Sequence, residues 1–242
     1  MAKKANTPLQ LNDFLQSLPE HFQVLETPVD VKTQLAYYQR SRAINKPAPH
    51  PTKEALAEME RQLAESSHPE EKKQIMVRLA ALDMPEAYRI LERYAAHPDE
   101  ALRDWSIMAL HESKMVLESA LLDENQVYIS TGLGGRNDML RYFAVILHKH
   151  GALEPFQAKV LEGEILDAVS HAEGETEHIA HSEAFSTVQL LVPARNDLTH
   201  ILMHAIQESN AYGSFLETDL LITNMKILDE KEILQLIARK RG

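Results

Sequence analysis

MLRYFAVILHKHGALEPFQAKVLEGEILDAVSHAEGETEHIAHS (residues 139–182) is followed by AFSTVQLLVPARNDLTHILMHAIQESNAYGSFLETDLLITNMKI (184–227), and both stretches read strand, helix, strand. A βαββαβ order has few ways to bury its apolar faces, and a ferredoxin-like α+β sandwich is the commonest. In the first strand Phe143, Val145 and Leu147 point one way, while Leu140, Tyr142, Ala144 and Ile146 point the other. Two helices cover one sheet face. The other face then needs the helical region, a terminal helix or a second copy of the chain, because large apolar patches are rarely left open.

Working outward, the helix predicted at 154–171 begins with Pro155 in its first turn and carries Val160, Leu161, Ile165, Leu166 and Val169 as its apolar stripe. Gly174 ends it, and strands follow at 175–182 and 184–193. A helix at 195–209, capped by Asn196 or its neighbour, leads to a last strand at 219–227. Asp229-Glu230-Lys231-Glu232 is a capping-box start for a terminal helix. Ahead of the repeat, the β-rich runs 126–131 and 139–148 flank the glycine-rich Gly132-Leu133-Gly134-Gly135 and predict a hairpin.

The first half reads as helical. Leu11, Phe14, Leu15 and Leu18 form a short amphipathic pattern, 31–42 allows a second helix, and KPAPHP (46–51) is a linker. His50-Pro51, His68-Pro69 and His97-Pro98 each precede a predicted helix, with Glu70-Glu71 and Asp99-Glu100 placed to meet the positive helix end. Aligning His68 with His97 superposes Met76 on Trp105, Leu79 on Met108 and Ala80 on Ala109. The segment HPDEALRDWSIMAL (97–110) resembles the second part of a HEAT-type repeat, and the resemblance extends over about 68–112. It implies stacked antiparallel hairpins; a plain helical bundle is the alternative. The expected domains are therefore a helical and linker segment at 1–50, a repeat-like domain at 51–124 and the ferredoxin-like domain at 125–242, with an extra N-terminal strand and a C-terminal helix.

Composition narrows function by exclusion. The chain has no cysteine, so disulfides, thiolate metal sites and cysteine nucleophiles are out, and a cytoplasmic location is expected. No apolar run reaches the ~20 residues of a membrane helix, and the start MAKKANTPLQ lacks the apolar core of a secretory signal. Residues 1–125 hold 15 basic against 20 acidic side chains and residues 126–242 hold 10 against 16, so neither half is a nucleic-acid-binding basic module.

Three constellations invite chemistry. In the 130–138 turn, Thr131, Arg136, Asn137 and Asp138 lie close enough in sequence to hold a small anion, or serve the turn itself. The glycines lead into a strand rather than a helix and no GKS or GKT follows, so a phosphate loop is not expected. The segment 160–194 has no Lys or Arg, and its 173–183 portion offers Glu177, His178 and His181 as metal ligands. Regular alternation places Glu175, Glu177, Ile179, His181 and Glu183 on one face, so a neighbouring strand must complete any site. An acidic edge that discourages strand pairing is the competing reading. His200 and His204 share a helix face but oppose the stripe of Leu198, Ile201, Leu202 and Ala205, and read as surface residues.

No nucleophile-elbow, kinase or nucleotide signature is present. The expectation is a non-enzymatic interaction or regulatory protein, without cofactor, with a protein partner or a second copy and neither nucleic acid nor membrane. The alternative is a metal- or small-ligand-binding domain, or an enzyme, using 173–183 or 130–138.

Overall fold

The computed structural model describes residues 22–44, 50–122 and 127–241. The helix expected at 11–18 and most of the KPAPHP linker lie outside them. In chain order the elements are β1 (Phe22–Val24), α1 (Val31–Ala43), α2 (Lys53–Glu65), α3 (Pro69–Ala80), α4 (Pro85–Ala96), a 3-10 turn (Glu100–Leu102), α5 (Arg103–Leu122), β2 (Val127–Ile129), β3 (Gly135–Arg136), β4 (Met139–His148), α6 (Pro155–His171), β5 (Glu175–His181), β6 (Phe185–Pro193), α7 (Leu198–Ala211), β7 (Leu216–Thr223) and α8 (Glu230–Arg241). The protein is thus α+β, helical in its first half and sheet-based in its second. No described helix is long and apolar enough to cross a membrane.

The described residues divide into two compact units, one within 29–128 and one made of 22–28 together with 129–241. These boundaries differ from the expected 50/51 and 124/125. In the helical unit α1 docks by polar atoms rather than an apolar stripe. Its buried side chains are Gln34, Tyr37 and Ser41, and the Tyr37 and Ser41 hydroxyls each donate to the buried Glu112 carboxylate at 2.6 Å. Helix α3 packs against both α4 and α5, and α4 against α5. The residue pairs superposed by the 29-residue offset, Met76 with Trp105, Leu79 with Met108 and Ala80 with Ala109, are all buried. Trp105 sits between Arg40 and Lys73, 5.5 and 5.1 Å from its ring centre, with Tyr37 edge-on at 5.2 Å.

In the other unit the strands lie side by side as β7, β4, β6, β5, all antiparallel, and β3 extends the β7 side of β4. Helices α6 and α7 pack together, α6 against β5 and α7 against β7. Beneath them lie Leu140, Tyr142, Ala144 and Ile146 of β4 and Val188, Leu190 and Val192 of β6, all buried. The opposite face is capped by α8, whose Ile233 and Ile237 join Leu133, Phe143, Val145, Leu147 and Phe185 in one core cluster. Of the three covers considered for that face, the terminal helix supplies this core.

Three local expectations need correcting. The hairpin partner of β4 is the two-residue β3, not the run at 126–131, and its two-residue turn is Asn137-Asp138, with Asn137 at φ 55°. The glycines serve close approach instead: a Cβ on Gly132 would collide with the Met225 carbonyl, and Gly134 takes φ 68° against the Glu26 carbonyl. Helix α7 starts at Leu198 rather than 195, because its cap is Asp197, the neighbour of Asn196, which accepts from the Thr199 and His200 amides at 3.0 and 3.2 Å. Finally, β7 begins at Leu216 rather than 219, because Phe215 and Leu216 enter the core.

Candidate functional site: a Glu–His–Ser–His chain

The residues singled out in the sequence do not converge. Thr131 is buried and its hydroxyl is spent on the Gly134 carbonyl at 3.0 Å. Arg136 is exposed and ion-paired with Glu175. Asn137 forms the hairpin turn, and the Asp138 carbonyl accepts from the Ala194 amide at 3.0 Å. These four residues build a turn and leave no convergent set of donors for an anion.

The metal candidates are separated by a β-bulge. On β5 Thr176 faces Leu190, but the next paired residue is His178, facing Gln189, so Glu177 is the extra residue. The bulge reverses the alternation. Glu175 and His178 share the α8 side of the sheet, while Ile179 and His181 face the α6 side. Glu177 instead holds Arg141 through two bonds, 2.7 and 2.9 Å. This bidentate carboxylate is the first cause that raises the Arg141 pKa above its ordinary value. Among the described residues no group of three or more His, Asp or Glu side chains can hold a metal ion. His200 and His204 are exposed on α7, as their spacing predicted.

His181 joins a different constellation. Its Nδ1 lies 2.7 Å from Ser186 Oγ and its Nε2 lies 3.0 Å from Glu162 Oε1 on α6. The same Ser186 oxygen is 2.8 Å from Nε2 of His148, whose Nδ1 reaches the Gly151 carbonyl at 3.2 Å. Four links therefore run from α6 through β5 and β6 to β4 and the loop after it. The register positions these groups: Ser186 continues the buried row of Val188, Leu190 and Val192, and it pairs with Ile146 of β4 on one side and His181 of β5 on the other. His148 follows Leu140, Tyr142, Ala144 and Ile146 in the matching row of β4.

Serine, histidine and glutamate at these distances are the parts of an activated nucleophile. The environment argues against that use, because Ser186 is fully buried and His148 is 4% exposed. Exposure rises toward the far end, to 23% for the His181 side chain and 45% for Glu162. Burial is the leading cause that depresses the His148 pKa, outweighing its contacts with backbone at Glu183 and Gly151. What the arrangement can do is share protons among groups that tie four elements together.

The acidic segment 173–183 drew attention to His181 but not to its partners. Their signal was present as two polar residues, His148 and Ser186, falling in otherwise apolar strand rows. Glu162 carries no comparable mark beyond lying next to Leu161 of the buried stripe.

No protein-family model matches this chain, and no curated protein does. Among solved structures, a candidate transposase from Deinococcus radiodurans R1 aligns at 12% identity, covering 43% of this chain and 89% of that one, with a TM-score of 0.34. A likeness of that size carries no assignment of function.

Proposed function

We propose that this is a cytoplasmic, non-enzymatic interaction or regulatory protein, combining a HEAT-like pair of helical hairpins with a ferredoxin-like sandwich. The observation that carries this reading is the exposed apolar surface flanking the buried stripe of α8 and just ahead of the helix. While Ile233 and Ile237 enter the core, Leu234 is 46% and Leu236 is 36% exposed, and the segment leading into the helix adds Met225 at 56% and Ile227 at 51%. Four large apolar side chains open to water within twelve residues fit a surface that another polypeptide covers. The partner is a second protein or a second copy of this chain. Two further points support the reading. Ser186, held between two histidines, is fully buried, and Thr131, Arg136 and Glu177 are engaged by a turn bond and ion pairs.

The test is site-specific photo-crosslinking in cells that naturally make the protein, with the crosslinker at position 234 and a control at Glu86 on α4. A discrete adduct formed from 234, absent from 86 and lost in a Leu236→Glu background with intact circular dichroism, supports the proposal. Equal labelling at both positions refutes it, as does any substrate turnover abolished by Ser186→Ala or His181→Gln.

A further inference from the structure

The Glu162–His181–Ser186–His148–Gly151 chain can be assigned proton by proton. It has four hydrogen-bonded links, at 3.0, 2.7, 2.8 and 3.2 Å, and each link needs one proton. The Gly151 carbonyl only accepts, so His148 Nδ1–H donates to it and His148 Nε2 must accept. Ser186 has one hydroxyl proton and gives it to that nitrogen, so its link to His181 forms only when Nδ1 carries a proton. A neutral His181 has a single N–H, so it can meet the serine oxygen from Nδ1 or the Glu162 carboxylate from Nε2, but not both. Neutral histidines and an ionised glutamate supply three protons for four links. The complete chain holds one more.

We propose that these four side chains form a proton-operated clasp that fastens α6 to the sheet: complete with one proton added to the His181–Glu162 pair, and missing one link without it. The extra proton belongs at that end, where the carboxylate stabilises an imidazolium and both side chains reach solvent, rather than on the enclosed His148. The titratable groups hydrogen-bonded within the chain around His181 are Glu162 from α6 and His148 from β4; Glu183, in the β5–β6 turn, meets the His148 ring through its backbone. Proton loss as pH rises removes one of the two His181 links, to Glu162 or to Ser186, and loosens the clasp between α6 and the sheet. Acidification re-engages it. The device therefore gives the sandwich two states of α6 attachment, selected by the proton.

Selective 15N labelling of histidine in the full-length protein reads this directly. The expected low-pH spectrum has both His181 nitrogens protonated and His148 protonated only at Nδ1, with the His148 signal following the His181 titration. Amide exchange around 158–166, corrected for intrinsic base catalysis, should accelerate about tenfold when His181 loses its proton, the worth of roughly one charge-assisted bond. Glu162→Gln separates the clasp from a merely structural contact. Its carboxamide can donate to a neutral His181, filling all four links without a titrating proton, so slow exchange should persist at both ends of the pH range. Ser186→Ala should uncouple His148 from His181. The proposal is overturned if His181 is neutral throughout, if Glu162→Gln exchanges as fast as the deprotonated wild type, or if His148 still follows His181 in Ser186→Ala.

Discussion

His111 makes the helical unit acid-labile by an amount that can be worked out. The residue lies on α5, edge-on to Tyr128 with ring centres 4.3 Å apart, and its Nε2 is buried without a hydrogen-bond partner among the described residues. Burial first, and the Lys114 charge second, hold its pKa at about 4 against an ordinary 6.5, despite the opposing pull of Glu118. The folded pKa is depressed, so below pH 6.5 the unfolded chain takes up a proton that the native unit refuses, and stability falls. Linkage with these two values costs about 0.2 kcal/mol at pH 7 and about 2 kcal/mol at pH 5. His111→Phe keeps an edge-on ring against Tyr128 and removes both the titration and the unpartnered nitrogen. Trp105 is the single tryptophan and lies in this unit, so urea unfolding followed by its fluorescence isolates the unit in the full-length chain. The stability advantage of His111→Phe should grow by roughly 2 kcal/mol from pH 7 to pH 5. Parallel stability curves over that interval would refute the burial argument.

Other consequences concern the helical unit and the sheet. Tyr37→Phe leaves the buried Glu112 carboxylate short of a 2.6 Å donor; it should cost about 1.5–3 kcal/mol in the same fluorescence assay. Burial and the Glu112 charge raise the Tyr37 pKa above its ordinary 10.0, so its contribution is present below pH 10 and is lost as alkali removes the proton. Tyr37→Phe should abolish that alkaline step. Ile233→Ala opens a void under α8, and about 2–5 kcal/mol should disappear from the thermal or urea stability of the sandwich. Two glycines should respond with opposite signs. Gly132→Ala drives a Cβ into the Met225 carbonyl and destabilises, whereas Gly163→Ala, with nothing near its Cβ on α6, should gain up to about 1 kcal/mol in helix propensity.

The order of elements was legible because periodicity is a local property. The period-two rows of β4 and the stripe of Leu161, Ile165 and Val169 could be read without any partner, and together they selected βαββαβ. Element ends were less legible where the deciding atom belongs to another segment. Either Asn196 or its neighbour could cap α7; Asn196 donates to the Ala172 carbonyl at 2.7 Å, which decides for Asp197. The placement of α1 was hidden for a related reason. Its attachment rests on Tyr37 and Ser41 meeting a glutamate more than seventy positions away, a contact that leaves no apolar period in the helix.

The candidate site turned on one residue. With regular alternation through ETEHIAH (175–181), Glu177 and His181 share a face and a metal site is worth considering. With Glu177 bulged out, His181 turns to the opposite face and meets Ser186, while Glu177 is taken by Arg141 from two strands away. A single extra residue reverses every side chain beyond it, so the chemistry on each face depends on a register that the strand does not fix alone. The stretch 160–194 lacks Lys and Arg, so its acidic strand finds its cations outside it, in Arg136 and Arg141. Arg141, whose β4 position is in register with Leu191 of β6 and through it with Glu175 of β5, holds the bulged Glu177 through two bonds. The same displacement supplies Ser186 with the second imidazole that closes the four-link chain.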